Sequence, residues 1–311
     1  MKLLLSFLIV WLSFSQNILG HPCDNLEIAT FPTQAAGRIK PLYVLAKENV
    51  DFIFSQKPKM SPTLLFCKLS FLSHVDFPEK SELLFKVEHP DAKKFLGIED
   101  NAKGVSLEIL LGKEEELRRE YFSRKLNDGL KKEYNKLLQR MQGFMSIVNG
   151  EQWTLPTMSG EKITWEPINV HLAKWKEDNF QHTEKLLIDL ATNYEQQEGT
   201  KHHLEYRYFA WKPYVFALLT TLLSMILLVT LPKARWGLAL SILSLLIQVV
   251  AITVRVLISG RAPITNMYET VIFSGFGALV IALFLFMVKK DKIYLLAGLA
   301  YNFLTLLMSI F

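Results

Sequence analysis

Residues 214–258 read YVFALLTTLLSMILLVTLPKARWGLALSILSLLIQVVAITVRVLI, and Lys233, Arg235 and Arg255 are the only charges in them. Two apolar runs emerge, Tyr214–Leu231 and Trp236–Ile258, separated by a short basic connection. Each has roughly the 17–25 residues that a helix needs to cross about 30 Å of hydrocarbon. The pattern predicts a pair of transmembrane helices. Two more runs of the same kind follow, Val271–Val288 and Ile293–Phe311.

The connections orient the four spans. Lys233 and Arg235 lie in the first, and Lys289, Lys290 and Lys292 outweigh Asp291 in the third. The middle one carries Arg261 and Glu269. Positive charge accumulates on cytoplasmic loops, so the first and third are expected inside and residues 259–269 outside. The N-terminus agrees. Lys2 precedes the apolar run Leu3–Phe14, which suits the core of a signal peptide, with cleavage near Gly20. The alternative is an uncleaved anchor. In both cases residues 21–212 are expected to be exported. Ahead of the first span, HHLEYRYFAWKPY (202–214) supplies an interfacial aromatic belt of Tyr206, Tyr208, Phe209, Trp211 and Tyr214.

Composition fits this division. The chain is 50% hydrophobic, yet residues 21–212 are charged and mixed while residues 213–311 are almost wholly apolar. The net charge of +5 comes from lysines interleaved with acids and from membrane-edge clusters. That distribution gives no reason to expect nucleic-acid binding. Cys23 and Cys67 either close a disulfide in an exported domain or stand as two unrelated buried thiols.

The expected organisation is an α+β exported domain followed by an α-helical transmembrane bundle of four helices. Within the domain, Leu117, Tyr121, Leu126, Leu130, Tyr134, Leu138, Met141 and Met145 recur at three- to five-residue steps. They predict one long amphipathic helix over Glu114–Val148. A second helix is expected over Asp178–Gln197, ended by Gly199. Leu83–His89 reads as a short strand, Ala92–Leu96 as a short helix, and Trp153 and Trp165 as parts of short strands.

The sequence excludes several chemistries. There is no GxxxxGK[ST] nucleotide loop, no HExxH and no GxSxG. All seven histidines (21, 74, 89, 171, 182, 202 and 203) precede the first span, so no intramembrane histidine is available to hold haem or a metal. His202 and His203 are the nearest candidates for a weak haem contact, although neighbouring histidines on a helix diverge by about 100°. No catalytic residue and no metal site is expected. Arg255 either snorkels to the interface or lines a cavity.

The outward segment SGRAPITNMYET (259–270) is too specific in composition for a mere connection. Pro263 stiffens it, Asn266 suits a turn or cap, and Glu269 complements the positive end of the next helix. Those roles leave Arg261, Thr265 and Tyr268 unaccounted for, and Gly260, Arg261, Pro263, Thr265, Asn266, Tyr268 and Glu269 together are expected to contact haem or a partner. GRAPITNMYET resembles the G-R-x-P-x-T-N-x-Y-E-[ST] loop of the CcsA/ResC family, the haem-handling membrane subunits of system II cytochrome c biogenesis. FPTQAAGRIKPL (31–42) resembles the P-x-Q-x-x-G-R-x-K-P-L segment that opens the exported domain of long or fused relatives. It contains Gly37, Arg38, Lys40 and Pro41, expected to be structural or partner-binding.

The resemblance implies a protein of the bacterial inner membrane, its large domain on the periplasmic side. It would help to handle haem and present it to apocytochrome c, as a non-catalytic part of a cytochrome c haem lyase system. The implied partners are a ResB/CcsB-like membrane subunit, apocytochrome c and membrane lipid. The family's tryptophan-rich WWD segment and its flanking histidines have no counterpart in residues 1–311. The expectation is therefore the N-terminal portion of such a protein, its haem ligands supplied by a WWD-containing continuation or partner chain. The alternative is a membrane-anchored extracytoplasmic interaction or sensor protein without haem chemistry.

Overall fold

The computed structural model describes residues 21–310 apart from 25, 123–126, 160, 161, 178, 179, 181, 231–234, 263, 265 and 266. The expected signal peptide, residues 1–20, lies outside the described residues, as do Lys233 and Phe311. The chain divides into two units, Met1–Gly199 and Thr200–Phe311.

The N-terminal unit is mostly helical, with three two-stranded antiparallel ladders among its described residues. β1 (Pro32–Ala35) and β2 (Arg38–Pro41) form a hairpin in register Pro32 to Pro41. Its two-residue turn places Ala36 at φ 51° and Gly37 at φ 76°. Both central residues have positive φ, the turn whose twist matches that of paired strands, and Gly37 meets this demand without a Cβ penalty. Pro41, extended at φ −67° and ψ 143°, then hands the chain to α1 (Leu42–Ile53). β3 (Phe54–Gln56) leads to α2 (Pro62–Ser70), where the Ser61 hydroxyl accepts from Leu64 N–H and Pro62 occupies the first turn. β4 (Leu84–Phe85) pairs with β3, so only two residues of the expected strand Leu83–His89 join a ladder. α3 (Pro90–Phe95) and α4 (Leu107–Gly112) follow.

The helix expected over Glu114–Val148 is two helices, α5 (Glu114–Phe122) and α6 (Asp128–Val148). The physical reason lies at Asn127. Its side chain accepts from Gly129 N–H, a cap that starts a new helix, and Gly129 is a poor residue for a helix interior. β5 (Thr154–Ser159) and β6 (Lys162–Pro167) pair antiparallel, placing Trp165 on a strand and Trp153 just before one. α7 (Asn169–Glu177) and α8 (Thr183–Glu198) complete the unit, and Gly199 ends α8 at φ 82°. The core gathers α1, α2 and α6 around fully buried Trp153, whose ring meets Phe31, Phe66 and Phe71. One ion pair is buried here. Arg140 Nη1 reaches Glu133 Oε1 at 3.2 Å and also donates to the Lys86 carbonyl at 2.6 Å. These extra bonds offset the cost of removing both charges from water.

In the second unit, α9 (Lys201–Trp211) ends at left-handed Lys212. There follow α10 (Pro213–Thr230), α11 (Arg235–Ser259), α12 (Met267–Lys289) and α13 (Lys292–Ile310). These four helices are long and apolar enough to cross a membrane, which makes the chain a multi-pass membrane protein by length and composition. Their bounds follow the four sequence-read spans closely. α10 packs on α11 and on α13, and α13 packs on α12, whereas α11 and α12 touch little. Glycine permits close approach between α12 and α13: a Cβ on Gly298 would fall 2.1 Å from Ala282 Cβ. Between α10, α11 and α13 runs a buried polar seam. Thr221 Oγ1 lies 2.7 Å from Ser244 Oγ and accepts from Asn302 Nδ2 at 3.3 Å, while Ser224 and Ser241 hydroxyls meet at 2.8 Å.

Candidate functional site

The site lies where α11 ends and α12 begins. Arg255, one turn before the end of α11, directs Nε at Glu269 Oε1 of α12 across 3.3 Å. Glu269 sits in the first turn of α12, where unsatisfied N–H groups favour a carboxylate. It is only 6% exposed, and the Arg255 side chain is 20% exposed. Two helices that otherwise touch little are thus joined by a charge pair. Tyr208 of α9 and Tyr214 of α10 meet edge to face at 6.4 Å and, with Ile252, Ile272 and Phe273, enclose the pair. The enclosed space is about 10 Å³, room for about one water.

The loop itself is built for a sharp exit from α11. Gly260 takes φ 66°, a conformation that glycine adopts without strain, and its N–H donates to Val256 O at 2.8 Å. Ser259 Oγ donates to Arg261 O at 3.4 Å, and the Arg261 side chain is exposed. Thr270 Oγ1 reaches Ile264 O at 3.5 Å. Pro263, Thr265 and Asn266 lie outside the described residues, and Tyr268 falls in the first turn of α12. The loop's two ionic residues therefore separate: Glu269 turns inward onto Arg255, and Arg261 faces out. The sequence reading singled out Arg255 without its partner. The available signal was one base and one acid flanking a loop between apolar segments, since intramembrane charges usually pair.

The other sequence-read residues fall elsewhere. Gly37, Arg38, Lys40 and Pro41 belong to the β1–β2 hairpin and the start of α1. Lys40 is 8% exposed and its Nζ lies 2.7 Å from Glu48 Oε2, so it docks on its own unit. Cys23 and Cys67 form a buried disulfide with Cα atoms 6.0 Å apart. His202 and His203 lie side by side on α9, their ring centroids 4.5 Å apart at an interplanar angle of 53°.

A haem iron is held by axial ligands such as histidine, methionine, cysteinate or tyrosinate. Helices α10–α13 contain no histidine; Met225 is half-buried in an apolar cluster, and Met267, Met287 and Met308 are 84%, 56% and 71% exposed. Both cysteines are engaged in the disulfide. The rings of His202 and His203 stand 4.5 Å apart, and the cavity beside Glu269 has the size of a water. Compared with known proteins, the chain matches no protein-family model and no curated protein.

Proposed function

We propose that this chain is an assembly factor of system II cytochrome c biogenesis, handling haem as cargo and helping to present it to apocytochrome c outside the cytoplasmic membrane. The observation that carries the reading is the contrast between two arginines in and beside GRAPITNMYET. Arg255 is neutralised by buried Glu269, whereas Arg261 is exposed on a loop whose exit is fixed by Gly260. An exposed guanidinium at the mouth of an apolar bundle offers bidentate hydrogen bonds to a carboxylate. A haem propionate has that chemistry. The Arg255–Glu269 pair would act as positioning groups by tying the two ends of the loop. Axial ligation would come from a WWD-containing continuation or partner chain, alongside a ResB/CcsB-like subunit. The Cys23–Cys67 disulfide supports an exported N-terminal unit, because such bonds persist in oxidising compartments.

The test is Arg261→Ala and Arg261→Lys in the assembled system, with haem content measured by pyridine haemochrome and holocytochrome c yield measured alongside. The alanine variant should lose at least about fivefold in haem capture at unchanged protein level, and lysine should recover part of it. Unchanged haem content and yield would overturn the reading in favour of an anchored interaction protein without haem chemistry.

A further inference from the structure

The N-terminal unit contains an open groove of about 480 Å³ between the segment that follows Cys23 and helix α8. Its floor is apolar: Ile28, Phe31 and Leu187 are buried there, and Ile188 remains 56% exposed at its side. Its walls carry exposed Glu27 and Glu184. The surroundings strengthen the sign. α8 bears four carboxylates and a single lysine, and residues 21–199 as a whole carry 27 acids against 24 lysines and arginines. Asp24, the other acid of the preceding segment, is already tied to Lys68 at 2.9 Å.

We infer that this groove docks a basic peptide segment of a partner protein, an apolar side chain entering over Ile28 and Leu187 while flanking lysines or arginines meet Glu27 and Glu184. The volume falls in the range of roughly 300–1,000 Å³ typical of ligand sites, enough for a few side chains. An acidic wall on an acidic unit selects a cationic partner by attraction. The apolar floor supplies the driving force, and the carboxylates set the sign of what enters. The inference stands apart from the haem reading and uses none of its residues.

The experiment uses the full chain in a neutral detergent and a fluorescein-labelled heptapeptide alternating lysine with leucine and phenylalanine, read by fluorescence anisotropy. Saturable binding is expected, weakened by salt, with at least about a tenfold loss in Glu27→Lys/Glu184→Lys and a clear loss in Ile188→Ser. The double reversal Glu99→Lys/Glu120→Lys makes the same charge change elsewhere on the unit and should bind like the parent. Near-ultraviolet circular dichroism checks that each variant is folded. An absence of saturable binding, equal binding by a glutamate-for-lysine peptide, or equal losses in the two double reversals would each overturn the proposal.

Discussion

The imidazole of His21 packs edge-on against Phe71 and Phe77, with ring centroids 6.1 and 6.3 Å away. Its Nδ1 accepts the Cys23 N–H at 3.2 Å, a bond that a neutral ring makes and a protonated one cannot. Burial first, and the Lys68 ammonium second, lower its pKa from 6.5 to about 4. The unfolded chain therefore binds a proton between those values that the folded chain excludes. Stability from this residue is complete above about pH 6.5 and is lost as pH falls toward 4. Thermal melts of the N-terminal unit within the full chain should show a fall in Tm across that window. His21→Gln should reduce it, leaving the share of His74, whose pKa burial and then Lys176 also lower, and an unchanged slope would show that His21 is not its source. Glu88, held by Lys136 and Lys86 to a pKa of about 2, loses its contribution only at lower pH and does not confuse the assignment.

At the level of elements, α11 and α12 depend on one contact in a way their neighbours do not. α12 meets α13 so closely at Gly298 that no side chain fits, and α10 meets α11 through paired hydroxyls. Between α11 and α12 the Arg255–Glu269 pair stands where such packing is sparse. Removing Arg255 withdraws the nearest counter-charge from buried Glu269, at a cost of about 3 kcal/mol. Arg255→Met should lower the detergent melting temperature, and Arg255→Met/Glu269→Met should recover most of the loss, because two apolar groups leave no orphan charge. Additive losses in the double variant would show that the two side chains do not act on each other. The same reasoning explains what sequence inspection missed in the N-terminal unit. Periodicity runs through residues 114–148, but a single capping side chain at Asn127 starts a fresh helix.

For the molecule as a whole, charge on the connections and the apolar lengths lead to an orientation that is open to direct measurement. With cysteine placed at Ser259 or at Arg235 in a chain whose own pair is oxidised, a membrane-impermeant maleimide on intact cells should label the first and spare the second. The reverse pattern would invert the proposed topology and remove the basis for placing Arg261 outside. The four spans were legible because a bilayer imposes one requirement, about 20 apolar residues with internally satisfied backbone, that any sequence displays without reference to its partners. At Gly37 only the backbone freedom of glycine was legible, and the β1–β2 hairpin around it was not. The candidate site was legible only in part. Gly260, Arg261 and Glu269 stood out by composition, but which of them faces in and which faces out depends on side chains that are distant in sequence.

The sequence by itself determined the division into a charged N-terminal part and an apolar part, the number of apolar spans and their approximate ends. These follow from composition and spacing along the chain, where each residue's contribution is nearly independent of its distant neighbours. Tertiary structure decided the rest: that Cys23 meets Cys67, that Arg255 meets Glu269, and that Glu27 and Glu184 flank one groove. Such pairings join residues 14 to 44 positions apart in the bonded cases, and nothing in the local pattern names the partner. They exist because packing brings two particular surfaces within a few ångströms, and short-range forces act only then.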